Sequence, residues 1–179
     1  MLLWCIASNI LPTYNLLVRF NPSILPLCPL CEIALESPIH VFWECHFARA
    51  LWFGWDWGIR TEYFQFLSAR DFIEAVIFPP TDVKAISGGE RKFVLLGAII
   101  MDVIWKSRNL KVHENKVIEV GRTLRSIQAS FCEHGLGHSK PNVSDSSVSI
   151  PSWEKPSRGV IKLNCDAAVG MDFSCHRGC

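Results

Sequence analysis

Neither positive nor negative charge is in excess in this sequence. Eighteen Lys and Arg stand against seventeen Asp and Glu, a formal net charge of +1 over 179 residues. No global basic field is available to hold a polyanion, so any nucleic-acid surface has to be local. Long apolar runs are missing too. The longest, Phe93 to Ile104, contains Asp102 and falls short of the roughly 20 residues that a bilayer-spanning helix needs. The start, Met1-Leu2-Leu3-Trp4-Cys5, has no basic region and is followed by Pro12 and Asn15, which is not the layout of a secretory signal. A nuclear or cytoplasmic protein is expected, not a secreted one, with no membrane partner and no small-molecule substrate. No internal repeat is found.

Apolar and aromatic residues are plentiful. Hydrophobic residues make up 49% and charged residues 20%, enough for a core and too apolar for a wholly disordered chain. There are seven Trp and eleven Phe. Eight cysteines in a reducing compartment bind metal more often than they pair as disulfides.

Composition divides the chain into four stretches. Residues 1–60 hold the tight Cys/His cluster and read as a small zinc-stabilised module. Residues 61–134 read as a helical connector. Residues 135–152, rich in Ser, Gly and Pro, read as a flexible linker, and residues 153–179 resume a patterned sequence. The expected fold class is mainly α. Within the connector, Asp71 is placed to N-cap a helix carrying Phe72, Ile73, Val76 and Ile77 that stops at Pro79-Pro80. A longer helix follows Ser87-Gly88-Gly89-Glu90. On it Phe93, Leu96, Ile100 and Ile104 form one stripe, and Val94, Ala98, Met101 and Trp105 a second. Val120, Leu124, Ile127 and Phe131 mark a third helix. From Arg91 to Arg125 eight basic residues face three acids, a local +5, and Lys106, Arg108 and Lys111 are the candidate nucleic-acid contacts. The competing reading of that charge is a solvated helix face.

The chemistry-bearing motif is Cys28-Pro29-Leu30-Cys31 followed by His40 and Cys45, a C-x2-C-x8-H-x4-C pattern. A C-x2-C pair can turn two thiolates toward one ion, and a second pair closes a tetrahedron. Zinc suits three thiolates and one imidazole, and four protein ligands leave no open position, so such a site is structural. His46, next to Cys45, competes for the fourth place. Buried free cysteines with an incidental histidine are the alternative.

These residues sit in a wider pattern: Leu11-Pro12-Thr13 with Leu16 and Arg19, Cys28-Pro29-Leu30-Cys31, Glu36-Ser37-Pro38-Ile39-His40-Val41-Phe42, Glu44-Cys45, and Ala48-Arg49-Ala50-Leu51-Trp52. Residues 4–55 thereby resemble the zinc-binding domain that follows the reverse transcriptase in plant LINE-type (non-LTR) retroelements. The resemblance implies zinc ligation by Cys28, Cys31, His40 and Cys45. Ile104-Trp105-Lys106-Ser107-Arg108-Asn109 is similar to a W-K-x-R-N helix motif of the same proteins. Farther on, Lys155-Pro156-Ser157-Arg158-Gly159 and Lys162-Leu163-Asn164-Cys165-Asp166-Ala167-Ala168 resemble the entry of their ribonuclease H-like domain, an α/β fold. Ile161, Leu163 and Cys165 alternate with Lys162, Asn164 and Asp166 at strand period, a single strand of that fold. By resemblance Asp166 falls on its first catalytic carboxylate.

A ribonuclease H site uses two divalent cations held by several acids. After Asp166 only Asp172 follows, so the domain reads as truncated and Asp166 as vestigial; magnesium is expected only if a complete site formed. Cys175, His176 and Cys179 lack a recognised ligand spacing. The leading expectation is a retroelement-derived zinc-binding fragment with weak binding of RNA or single-stranded DNA and no intrinsic catalysis. The alternatives are a hybrid ribonuclease completed by another chain, and a zinc-stabilised protein-interaction domain.

Overall fold

In the computed structural model the first helix, α1 (Leu2–Ala7), buries Ile6, and the four-residue α2 (Tyr14–Leu17) follows Thr13. The residues described are 1–136 and, separately, two short strands near the C-terminus. After α2 comes a hairpin-like knuckle over residues 26–36. One turn of π-helix (His40–Glu44) leads into α3 (His46–Gly54), and a 3₁₀ turn (Thr61–Tyr63) precedes α4 (Ala69–Ile77) and α5 (Thr81–Ser87). Two longer helices, α6 (Glu90–Glu114) and α7 (Val120–Leu136), complete the set. The architecture of the described residues is mainly helical.

Local chemistry sets the boundaries. The N-cap of α4 is Ser68, whose hydroxyl accepts the Asp71 amide at 3.1 Å. This corrects the expectation that Asp71 caps the helix: the hydroxyl three residues upstream reaches an orphan amide that Asp71's own carboxylate does not. Gly88 and Gly89 carry φ of 69° and 126°, conformations that favour glycine, and they turn the chain sharply from α5 into α6. Asn115, also left-handed, ends α6.

The core is aromatic at its centre. Trp43, in the π-turn, lies with its ring centroid 5.0–6.2 Å from those of Trp52, Phe64, Phe66 and Phe72. Its indole N–H donates to the carbonyls of Thr61 and Phe64 at 3.1 and 3.2 Å, which pins the 3₁₀ turn onto the N-terminal module. Helix α6 packs against α3, α4, α5 and α7. The expected stripe of Phe93, Leu96, Ile100 and Ile104 is buried, as are Met101 and, on α7, Ile127. The boundary expected at residue 60 is therefore crossed by core packing, and Met1–Lys140 form one compact unit.

In the second unit, β1 (Ala168–Val169) pairs antiparallel with β2 (Cys175–His176), Ala168 opposite His176. The strand expected over Ile161–Asp166, Asp166 itself, and all but the first two residues of the expected linker lie outside the described residues. No helix among the described residues is long and apolar enough to cross a membrane.

Gly97 marks the tightest approach in the helical core. A Cβ there would stand 2.8 Å from Val76 Cγ1 and 3.5 Å from the Trp52 ring. Gly97→Val is expected to destabilise the protein by about 2 kcal/mol or more through overpacking. Urea unfolding of the two proteins measures this; an unchanged midpoint would contradict the packing described.

Candidate metal centre

Two local structures deliver the four candidate ligands. The first is the knuckle. Leu27 and Leu35 form an antiparallel bridge, the Cys28 amide donates to the Ala34 carbonyl at 2.8 Å, and the Glu36 amide to the Pro26 carbonyl at 2.8 Å. Inside this ladder Cys28-Pro29-Leu30-Cys31 turns back on itself, with the Glu32 amide donating to the Cys28 carbonyl at 2.7 Å and Glu32 at a φ of 58°. The second is the π-turn. Ser37 accepts the His40 amide on its hydroxyl at 3.1 Å, and Pro38 occupies an opening position where its missing N–H costs nothing. His40 and Cys45 are five residues apart. An α-helix turns about 100° per residue, which would point them about 140° apart. Instead the Cys45 amide donates to the His40 carbonyl at 2.7 Å, an i→i+5 bond that brings both side chains to one face.

The two structures bring the four candidate donors together. The four donor atoms of Cys28, Cys31, His40 and Cys45 all lie within 4.8 Å of one another. Cys28 Sγ is 3.9 Å from Cys45 Sγ, and Cys31 Sγ is 3.3 Å from His40 Nε2. Zinc with bonds of about 2.3 Å to sulfur and 2.0–2.1 Å to nitrogen has tetrahedral edges of ~3.8 Å and ~3.5 Å. Cys28, His40 and Cys45 are buried and Cys31 half-buried. His46, the competing candidate, is exposed and lies outside the cluster. On the far side of the imidazole, Glu44 Oε2 stands 4.0 Å from His40 Nδ1, a carboxylate placed to favour the tautomer that leaves Nε2 free for a metal.

Electrostatics favour a cation here. A hydrogen bond to Cys45, then burial, push the Cys28 thiol up to about 12. The same bond from Cys28 holds Cys45 below its ordinary value. The amides of Phe47 and Ala48 at the start of α3 act in the same direction. Hydrogen bonding to Cys28, and then to Cys31, raises His40 despite its burial. A divalent cation bound here would displace the proton that Cys28 holds. The donor set fits zinc. An ion held by all four would join knuckle and π-turn, with every coordination position a protein atom.

The nucleic-acid candidates are scattered. Lys106 is exposed and pairs with Asp102 at 2.6 Å. Lys111 pairs with Glu32 at 3.6 Å. Arg108 is buried: its Nε and Nη2 meet the Glu36 carboxylate at 2.8 and 2.9 Å. A guanidinium so placed is unavailable to a phosphate, which corrects its assignment as a surface contact. Sequence reading quoted Glu36 within the family pattern and gave it no partner; its carboxylate accepts the Tyr14 amide as well. The signal was an acid one residue before the Ser-Pro that opens the turn. Among the other thiols, Cys5 is half-buried and Cys132 exposed.

Residues 1–52 match the family model described as zinc-binding in reverse transcriptase. No curated protein and no solved structure matches the chain.

The isolated protein is expected to hold about one zinc per chain, and Cys31→Ser to lower that content sharply, read by atomic emission after gel filtration. Affinity should fall with acidity. Binding displaces the proton that Cys28 keeps up to about 12 and competes with the raised His40, so each displaced proton costs about tenfold in affinity per unit of falling pH. Chelator competition between pH 8 and 6 measures the slope; a pH-independent affinity would rule out thiol ligation.

Proposed function

We propose that this protein is a fragment of a LINE-type retroelement polyprotein. Its zinc module organises a helical body that binds single-stranded nucleic acid weakly and without catalysis. The observation that carries the retroelement reading is the Cys28, Cys31, His40, Cys45 cluster, with donor atoms within 4.8 Å of one another, inside a segment matching the reverse-transcriptase zinc-binding family.

The nucleic-acid part rests on the groove between α6 and α7. This concavity of about 780 Å³ is lined by Lys106, Lys116 and Arg122 together with Ser107, Thr123 and Ser126. Each cation has a carboxylate within 4.0 Å, from Asp102, Glu114 and Glu119 respectively. That partial neutralisation supports weak rather than tight binding. Phosphates compete for the cations, so affinity is expected to fall with salt at about 0.7 log units per log unit of salt for each phosphate engaged. Fluorescence anisotropy with RNA and single-stranded DNA oligonucleotides measures this. The triple variant Lys106→Glu, Lys116→Glu, Arg122→Glu should bind at least tenfold more weakly. Binding indifferent to salt and to these reversals would favour the zinc-stabilised protein-interaction reading instead.

On catalysis, Asp166 is the one carboxylate of these 179 residues on the ribonuclease H pattern, and two-metal hydrolysis needs several. An RNA–DNA hybrid with magnesium or manganese is expected to survive incubation with this chain. Cleavage that vanishes in Asp166→Asn would overturn the proposal and support a site completed by another chain.

A further inference from the structure

Three contacts tie one face of α6 to the two structures that carry the metal ligands. The contacting residues are Trp105, Arg108 and Lys111, at a spacing of three that keeps side chains on one side of a helix. The Trp105 ring lies 6.3 Å from Phe42, within the π-turn that joins His40 to Cys45. The Lys111 ammonium is 3.6 Å from Glu32, the residue after Cys31. Between them, Arg108 forms a two-pronged ion pair with Glu36.

Glu36 is the junction of the metal site. Its amide closes the knuckle ladder onto Pro26, two residues before Cys28. Ser37, the next residue, caps the turn bearing His40. The Glu36 side chain has no solvent exposure, and that of Arg108 is 5% exposed. The guanidinium also lies 4.8 Å from the Tyr14 ring centroid and 5.0 Å from that of Trp105, and reaches the Pro12 carbonyl at 3.4 Å. A carboxylate with no water around it needs this partner, and removing one member of such a pair strands the other charge in the core. Pulling Glu36 outward toward water would relieve that charge at the expense of the ladder and of the cap of the His40 turn, both of which adjoin it.

We infer that Arg108 is a positioning residue for the metal centre, and that zinc binding and docking of helix α6 are coupled through the Glu36–Arg108 pair. The inference rests on the zinc reading of the cluster. It extends the metal-binding unit from the matched residues 1–52 to include α6. Coupling between two events is reciprocal: whatever Arg108 gives to zinc affinity, zinc gives to the docking of α6.

Two measurements on the full chain test this. In the first, chelator-competed zinc affinity and the visible spectrum of the cobalt-substituted protein are compared for wild type, Arg108→Met, Ile127→Ala and Arg125→Met. Arg108→Met should lose at least tenfold in zinc affinity and weaken the tetrahedral cobalt bands. Arg125→Met removes the same charge from the exposed surface of α7 and should change neither. Ile127→Ala, which empties a buried site on α7 away from the ligands, should lose much less affinity than Arg108→Met at a comparable drop in thermal midpoint. The second measurement needs no variant. Stripping zinc from wild type should speed amide exchange over residues 104–112 of α6 as well as over 28–45, and leave residues 120–134 of α7 nearly unchanged. A folded Arg108→Met with wild-type affinity and cobalt spectrum, or an exchange response confined to residues 28–45, would overturn the coupling while leaving the zinc site intact. A wild-type chain that takes up no zinc or cobalt would overturn both readings.

Discussion

A carboxylate sealed from solvent sets the terms for the N-terminal half of this protein. Glu36 has zero side-chain exposure and brings a formal charge into a core of Trp, Phe and Leu. Burying such a charge is tolerable only with a partner and with its remaining lone pairs satisfied. Arg108, seventy-two residues away, supplies both prongs, and the Tyr14 amide supplies a further donor. Breaking a pair of this kind from one side costs about 3–5 kcal/mol, a large part of the stability of an ordinary domain. The start of the chain, the knuckle and the C-terminal half of α6 are thereby held to one point.

The metal ligands inherit their geometry from that point. A Cys-x2-Cys knuckle presents two thiolates wherever its ladder closes, and the ladder closes at Glu36. The other two ligands need a turn wider than an α-helical one, since five residues must make a single revolution between His40 and Cys45. A π-turn in isolation is poorly stabilised. Here it carries Val41, Phe42 and Trp43, all buried, and Trp52 returns an indole N–H to the Phe42 carbonyl at 2.8 Å. Aromatic packing thus enforces the unusual turn, and the turn supplies the donor geometry.

Much of this was legible in the residues. Ligand spacing identified the four donors, because chelation of one ion demands a short list of patterns. Helical periodicity placed the buried stripe of α6, because one face of a long helix must meet the core. Spacing favoured Cys45 over His46, but the backbone that carries Cys45 to the cluster was not legible. It is a π-turn, and hydrophobic spacing over five residues does not distinguish π from α. The Asp71 assignment failed for a related reason: Ser68 and Asp71 are both acceptable caps, and only the backbone conformation of residue 68 decides between them. A module boundary near residue 60 followed composition, whereas the aromatic core around Trp43 draws on residues 52 to 72 and ignores that change.

Arg108 shows most sharply what a charge count leaves out. In the sequence it is one cation among eight between Arg91 and Arg125, indistinguishable from Lys106 two residues earlier. On α6 those two positions point about 160° apart, one into the core and one toward solvent. The difference lies in a single acid far along the chain, Glu36, which periodicity does not pair with anything. Lysine could not take the place of Arg108 on equal terms. The site asks for two parallel donors to one carboxylate and a flat cation between two aromatic rings, and an ammonium offers neither. What a linear reading groups as a basic patch therefore contains two kinds of charge: Arg108, fixed in the core to hold the metal module, and solvent-facing Lys106, Lys116 and Arg122 along the α6/α7 groove.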